Sequence, residues 1–178
     1  MIGEIITGRY VDLKPCEEKD ANFTLSIRQD PEFSQFFPAL NSNVDQQRSW
    51  IKSQRIKEGD YFFVVWNKSG ERIGTISIYN VENQYAEGGR LAIRSKNPFH
   101  AIEAQLLAFR FAFHVLGVEC VKGLIFANNT RALRFSKQFG AVLYAPETDE
   151  KGRVIVRIEN WKSDFLAAEK KINSILYR

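Results

Sequence analysis

The stretch RSKNPFHAIEAQLLAFRFAFHVLG, residues 94–117, decides the fold. It opens as a polar loop and continues from Ala101 to Leu116 as a segment that is apolar on nearly every face, and Gly117 follows as a helix stop. Strand-like segments precede and follow it, at Glu87 to Ile93 and at Val121 to Ala127. A helical crossover of this length joins parallel strands that lie side by side. The sequence therefore predicts a buried central helix between two parallel strands.

The remaining segments complete a mixed sheet. Before this unit, alternation and helical spacing predict a strand at 5–13, helices at 17–29 and 44–57, and strands at 61–66 and 71–79. The last two strands are joined by a turn in which Gly70 needs a positive φ. After it, the pattern predicts a helix capped by Asn128 or Asn129 and ending at 139, strands at 141–143 and 154–161, and a C-terminal helix. No repeat or linker divides the chain. We therefore predict one α+β domain spanning residues 1–178.

Charge is distributed unevenly along the chain. There are 25 Lys and Arg against 21 Asp and Glu, for a net charge of +4. Residues 1–90 carry 11 basic and 13 acidic side chains, whereas residues 91–178 carry 14 and 8. This asymmetry indicates an anionic ligand bound mainly by the second half, and a solvated basic face without a ligand explains it equally well. Nucleic acid is not the expected partner, because the basic residues are scattered and no base-reading pattern accompanies them.

Several other classes of protein do not fit the sequence. The apolar run at 101–117 contains Glu103 and is shorter than the roughly 20 residues of a bilayer span, so we expect no membrane partner. Cys16 and Cys120 lie far apart without metal-ligand spacing, and we predict two small buried residues, no disulfide and no metal site. Because Glu4 stands where a signal peptide is basic, we expect a cytoplasmic protein.

The loop before the buried helix carries the first motif, RSKNPFHAIEA. It is similar to a loop of the form Gln/Arg-x-x-Gly-x-Gly/Ala-x-x-(x)-Glu-Ala, and the matching residues are Arg94, Glu103 and Ala104. Backbone N–H groups at the start of a helix suit an anion because they lack intrahelical partners. Asn97 and Phe99 replace the two glycines. Asn can adopt left-handed geometry in place of Gly, whereas the ring of Phe99 must turn away from a ligand.

A second motif follows the strand after the helix. The segment NTRALRFSKQFGA, residues 129–141, matches the pattern Asn-x-x-Ala-x-x-Phe-Tyr-x-x-x-Gly-Phe at Asn129, Phe135 and Gly140. Ser136 stands where the pattern has Tyr. Asn129 is also a good N-cap in its own right.

With these motifs in this order, the chain resembles the GNAT superfamily of acetyl-CoA-dependent N-acetyltransferases. The resemblance implies a single α+β domain with a mixed central sheet, flanked by helices, that splays between the strands at 87–93 and 121–127 to hold acetyl-CoA. It also implies that the first loop holds the pyrophosphate of coenzyme A and that the Asn of the second motif reaches the pantetheine arm. The residues expected to bind this co-substrate are Leu91, Ile93, Arg94, Lys96, Asn97, Ala101, Asn129, Arg134 and Lys137.

Acetyl transfer to an amine requires a base that removes a proton, directly or through water. Glu87 is the predicted base because it starts the strand whose backbone faces the thioester in this family, and an ordinary strand-end carboxylate at solvent is an equally good interpretation. Ser136 occupies the place of a general-acid tyrosine, and we do not expect it to be an effective acid. Tyr144 is a possible general acid in place of the missing tyrosine, although no sequence pattern supports it. Glu82 and His100 are weaker candidates for the base.

Aromatic and basic residues mark the acceptor side. The segment from Asp30 to Leu40 concentrates three Phe residues that either complete the core or line a pocket, and we expect at least one of them in the core. This region is similar to GNAT members that acetylate amino groups on nucleotide-linked sugars in surface-polysaccharide pathways. Arginine suits phosphate, and aromatic rings can stack on a base. The residues predicted to bind the acceptor are Arg28, Phe36, Phe37 and Trp50.

Two other functions stay open. The layout also resembles ribosomal-protein acetyltransferases, which modify a protein N-terminus, although nothing in residues 28–56 provides an acidic cleft for a cationic chain. Because two glycines and the tyrosine are replaced, the chain could instead be a catalytically idle GNAT-like binding module. The expected partners are acetyl-CoA and a small amine, and the oligomeric state stays open, a homodimer included.

Overall fold

Segments with apolar side chains on both faces form one central sheet. The structure, a computed structural model, describes residues 4–37 and 41–177. Within these ranges the strands are β1 (Ile6–Thr7), β2 (Val11–Pro15), β3 (Tyr61–Asn67), β4 (Arg72–Glu82), β5 (Tyr85–Ile93), β6 (Cys120–Phe126), β7 (Val142–Leu143), β8 (Glu147–Thr148) and β9 (Val154–Trp161). Their order is β1-β2-β3-β4-β5-β6-β9-β7, with β8 paired to β9. Among the described strands, β5 and β6 are the one parallel pair, so the sheet is mixed as predicted.

Helices cover both faces of this sheet. They are α1 (Ala21–Gln29), α2 (Pro31–Ser34), α3 (Val44–Ile56), α4 (Pro98–Arg110), α5 (Thr130–Gln138) and α6 (Lys162–Leu176). The larger core lies under α4 and α6 and includes Phe109, Phe113 and Phe165. A smaller core under α1 and α3 includes Ile51 and Val64. This arrangement confirms the predicted α+β class.

The predicted parallel pair is confirmed, and so is its splay. β5 and β6 are paired only at Tyr85–Cys120, Ala86–Val121 and Glu87–Lys122. Beyond that point β5 continues along β4, whereas β6 continues along β9 over its whole length. A gap therefore opens in the sheet, and one edge of β5 from Gly88 onward has no partner strand among the described residues.

The buried helix that crosses between these strands is α4, which begins at Pro98 rather than at the predicted Ala101. A π-helical turn, Phe111–Val115, extends it, and Gly117 follows with φ 72° as the predicted stop. Gly70 and Gly140 also have the positive φ that their turns require. In the described ranges, no helix has the length and apolar character needed to cross a membrane.

The single strand predicted at 5–13 was wrong. Residues 6–15 form the two strands β1 and β2, which are joined by a turn. The cause is Glu103, a fully buried residue of α4. Its carboxylate accepts hydrogen bonds from the backbone N–H groups of Arg9, Tyr10 and Val11 at 2.8, 2.6 and 2.8 Å. The hydroxyl of Tyr177 donates to the same carboxylate at 2.9 Å. A buried carboxylate with four donors thus fixes the turn, because buried charge requires such partners.

Other elements follow the sequence pattern with local differences. The segment predicted as a loop at 30–40 begins with the short helix α2, which is capped by Asp30 through Glu32 N–H at 3.0 Å, while residues 38–40 lie outside the described residues. The strand β8 was not predicted. Both cysteines are buried and unpaired with each other, as expected, and burial raises the pKa of both thiols, that of Cys120 to about 11.

Candidate active site

A cavity of about 490 Å³ opens where β5 and β6 part. Its lining comes from β4, β5, β6 and β9 and from α1, α2, α4 and α5. It brings together seven of the residues predicted from sequence: Arg28, Phe36, Phe37, Glu87, Leu91, Asn129 and Ser136. The candidate site therefore gathers residues from both sequence motifs and from the acceptor segment.

Glu87 lies at the last pair before the strands part, on the cavity wall. The side-chain amide of Asn80 donates to its carboxylate at 3.1 Å, and Asn80 adopts a positive φ of 48° in the tight β4–β5 hairpin. Tyr79 is directly opposite Glu87 in the ladder. Burial raises the pKa of the Tyr79 phenol, and the neighbouring Glu87 carboxylate raises that pKa further. The Glu87 carboxylate is thus oriented by β4 and open to the cavity, as a base needs to be.

Arg90 is a cavity residue that the sequence analysis missed. It has φ 54°, a left-handed geometry that costs a non-glycine residue about 1 kcal/mol or more, at a bulge where β5 gains one residue relative to β4. The hydroxyl of Thr75 donates to the Arg90 carbonyl at 2.7 Å and holds the bulge. The guanidinium pairs with Asp60, a fully buried side chain, at 2.9 Å. The signal for this bulge in the sequence was the pair Gly88-Gly89 inside a strand pattern.

The acceptor segment supplies three rings. Phe33, Phe36 and Phe37 all line the cavity and are half-buried. Among the residues that the structure describes, none of these rings belongs to either core cluster, so the expectation that one would complete the core was wrong. Arg28 reaches the same wall from α1, and its guanidinium carbon is 4.6 Å from the ring centre of Phe37. Burial lowers the pKa of Arg28, and the nearby Arg90 charge lowers it further.

The second motif forms α5, which lies over the gap. Asn129 is the N-cap, since its side chain accepts from Ala132 N–H at 3.1 Å, and it lines the cavity as well. Ser136 also faces the cavity. Tyr144 is exposed and donates to Glu159 at 2.9 Å, and it is not among the residues that line the cavity. The structure therefore gives Tyr144 no position from which to replace the missing tyrosine.

The first motif is arranged differently from the family loop. Asn97 has φ −79° and caps α4 by accepting from Phe99 N–H at 3.0 Å, so the left-handed geometry considered for it was wrong. The ring of Phe99 turns away from the loop onto Tyr10, with ring centres 5.1 Å apart, as expected. Arg94 pairs with Asp30 at 3.0 Å. Neither these residues nor Lys96 and Ala101 line the cavity, and their role in binding the pyrophosphate stays a prediction.

The other predicted residues lie outside the cavity wall. Trp50 packs edge-on against Phe62, with ring centres 5.5 Å apart, behind Arg90. Arg134 and Lys137 are exposed on α5, where a ligand phosphate would reach them from solvent. The Nδ1 atom of His100 is 2.8 Å from the Ser95 hydroxyl oxygen, and burial lowers the pKa of this imidazole. In the described ranges, no group of three His, Cys, Asp or Glu residues could hold a metal ion.

A sheet that parts between two parallel strands, with a buried helix behind the gap and a capped helix over it, defines a class of acyl-transfer enzymes. The family model described as the acetyltransferase (GNAT) domain matches residues 11–142, which run from β2 to the start of β7 and include the whole gap. The chain belongs to the GNAT acetyltransferases, a family that uses acetyl-CoA.

Similar proteins agree with this class. The acetyltransferase PseH of Campylobacter jejuni subsp. jejuni serotype O:2 is 23% identical over 122 residues, which cover 68% of this chain and 76% of that protein. Apo FdhC, described as a nucleotide-linked sugar GNAT, has a TM-score of 0.83 at 21% identity, with 99% of each chain covered. Spermidine N-acetyltransferase from Vibrio cholerae, solved with CoA and spermine, has a TM-score of 0.81 at 16% identity, over 89% of this chain and 99% of that chain. At these identities the solved structures show a shared fold.

Proposed function

We propose that the chain transfers the acetyl group of acetyl-CoA to an amine of a nucleotide-linked sugar. The observation that carries the proposal is the cavity at the β5–β6 gap, because one space holds a free strand edge, the Glu87 carboxylate, and the arginines Arg28 and Arg90 among its basic residues. The free edge of β5 suits the amide-bearing pantetheine arm, which can pair with strand backbone groups. Leu91 and Asn129 lie on opposite sides of this slot and are the proposed contacts.

The arrangement accounts for the chemical step. Glu87 can take a proton from the amine, directly or through water, so that the amine attacks as a neutral nucleophile. The N–H groups that β5 no longer shares with β6 can donate to the thioester oxygen as charge develops there. Asn80 orients the Glu87 carboxylate through its hydrogen bond of 3.1 Å. With Ser136 in place of a tyrosine, we infer that the departing thiolate is protonated by solvent.

The charge of the cavity supports an anionic acceptor. Its described lining holds two acidic residues, Glu87 and Asp149, and four basic ones, Arg28, Arg90, Lys122 and Arg153. When Asp60, which pairs with Arg90, is included, the site still carries one more positive than negative charge. A positive excess favours a nucleotide diphosphate over a polyamine or a cationic peptide. The rings of Phe33, Phe36 and Phe37 offer faces for a base or a sugar methyl. The likeness to FdhC supports the same acceptor class. A spermidine enzyme shares the fold equally well, and the charge of the lining favours the anionic acceptor over a polyamine.

The test is a panel assay of acetyl-CoA consumption. We expect turnover with at least one amino-sugar nucleotide, and none with spermidine or with peptide N-termini. Acetylation of peptides alone would overturn the proposed acceptor and support a protein N-terminal acetyltransferase. Acetyl-CoA binding in calorimetry without turnover of any amine would identify a catalytically idle module.

A further inference from the structure

We propose that Arg90 is a fixed anion-binding group of the acceptor site and that it holds a phosphate group of the acceptor together with Arg28. This inference rests on the proposed function, because it assigns the phosphate of the nucleotide-linked acceptor to a particular place. Both arginines line the cavity together with the three Phe rings, and Arg90 is on the same strand as Glu87.

The Arg90 guanidinium is held rigidly before any ligand arrives. Its two terminal nitrogens donate to the two oxygens of Asp60 at 2.9 and 3.3 Å, and one of them also donates to the Ser77 hydroxyl at 3.3 Å. Rings surround it: the guanidinium carbon is 4.4 Å from the ring centre of Tyr79 and 5.0 Å from that of Trp50. A cation fixed in this way loses little side-chain freedom when it binds an anion. Trp50, predicted to touch the acceptor, acts in this arrangement as a support for Arg90.

The same guanidinium keeps donors for a ligand. An arginine has five N–H groups, and in the ranges 4–37 and 41–177 the contacts to Asp60 and Ser77 use three of those of Arg90. The Nε–H and one Nη2–H have no acceptor in those ranges, and the side chain is 19% exposed on the cavity wall. Two neighbouring N–H groups on one face match two oxygens of a phosphate.

A second cation stands next to the first. Arg28 and Arg90 line the same cavity, and the Arg90 charge contributes to lowering the pKa of Arg28. Like charges that share a partly buried wall repel, and an anion placed between them removes this repulsion. Asp60 faces Arg90 from behind, and Glu87 approaches from the Tyr79 side of the same strand pair. Both arginines therefore contribute positive charge to the lining of the cavity.

The described part of the chain contains a similar pair that does not line this cavity. Arg72 contacts the buried carboxylate of Asp20 at 3.2 Å, and its guanidinium lies 5.2 Å from the ring centre of Phe23. The construction resembles that at Arg90, although Arg72 makes one contact to its carboxylate instead of two and its side chain is 38% exposed instead of 19%. Arg72 is not among the residues lining the cavity. Any effect that comes only from removing an arginine–carboxylate pair next to an aromatic ring should appear at both places.

The test is calorimetric titration of uridine diphosphate into protein saturated with CoA, so that the CoA site is already filled. In the double variant Asp60→Asn/Arg90→Gln, neutral partners replace the ion pair. We expect its dissociation constant for uridine diphosphate to rise at least tenfold while that for CoA changes less than twofold. The control Asp20→Asn/Arg72→Gln should leave both constants unchanged. Unchanged affinity for uridine diphosphate in the Arg90 variant, or no binding by the wild-type protein, would overturn the proposal.

A second measurement does not depend on the variant folding. In the wild-type protein, the Nε–H signal of Arg90 in NMR spectra should shift when uridine diphosphate is added, while that of Arg72 stays in place. An Arg90 signal that does not move also overturns the proposal. If Arg90 responds but no amino-sugar nucleotide is acetylated in the panel assay, the anion site stands and the proposed acceptor fails, so the two ideas can fail separately.

Discussion

Replacing Glu103 by Gln should be among the most destabilising single-atom changes in this protein. Glu103 is fully buried, and its two carboxylate oxygens accept from three backbone N–H groups and from the Tyr177 hydroxyl. An amide keeps one acceptor oxygen and puts an NH₂ group in place of the other. In either orientation at least one backbone N–H among residues 9–11 loses its acceptor, and the remaining bonds lose their charge assistance.

The expected cost follows from these contacts. A buried donor left unsatisfied costs about 1–3 kcal/mol, and a hydrogen bond to a charged group contributes about 1.5–3 kcal/mol, so we expect a loss of roughly 3 kcal/mol. For a domain of this size that corresponds to a fall in Tm of about 6–12 °C, measured by circular dichroism. The control is Glu147→Gln, which removes an exposed pair with Arg157 and should cost less than about 1 kcal/mol. If Glu103→Gln lowers Tm no more than this control does, the hydrogen-bonding argument is wrong.

The remaining predictions concern catalysis, co-substrate binding and pH. Glu87→Gln should lower kcat by roughly 10²- to 10⁴-fold and leave the affinity for CoA unchanged. The control Glu82→Gln, on the same hairpin, should stay active. If Glu87→Gln keeps the wild-type kcat, the Glu87 carboxylate has only a structural role. Arg94→Ala should weaken acetyl-CoA binding about tenfold in calorimetry. The reason is that Arg94 Nη1 has no partner among the described residues and can donate to phosphate. An unchanged dissociation constant for acetyl-CoA contradicts this role. Burial and the hydrogen bond to Glu103 raise the pKa of Tyr177 to about 12. The neutral phenol therefore stabilises the fold below about pH 10, and this stabilisation is lost as the pH rises from about 10 to about 12. The difference in urea midpoint between the wild-type protein and Tyr177→Phe should therefore shrink over that range, and a constant difference would rule the effect out.

The sequence predicted the sheet order around the gap because that information is local. The apolar run of α4 and its flanking strands leave few alternatives for a crossover, and the parting of β5 from β6 follows from the same unit. The broken first strand could not be predicted, because it depends on Glu103, which lies more than 90 positions away in the sequence. Alternation in residues 5–13 looks the same whether or not a carboxylate intercepts three backbone N–H groups.

The candidate site was predictable where a motif occupies consecutive positions and not where tertiary contacts create it. Asn129 and Ser136 follow from spacing along one helix, and both reach the cavity. The position of the Arg90 side chain depends on the bulge in β5 and on Asp60, which precedes β3 and is distant in sequence. No local pattern therefore distinguishes Arg90 from any other arginine in a strand. The three Phe rings of the acceptor segment were assigned partly to the core, because hydrophobicity does not distinguish a core from a cavity wall.

The cap at Asn97 has a consequence for how the co-substrate would come and go. At the start of α4, Phe99 N–H and His100 N–H are already bonded to Asn97, so this helix end is folded without help from a ligand. A phosphate docking here exchanges one set of hydrogen bonds for another, and it orders little backbone in doing so. Such an exchange has a small cost in conformational entropy, and the loop stays folded when the phosphate leaves. The expected kinetic signature is rapid association and rapid release, in contrast to the slow trapping that a loop folding around its ligand would produce.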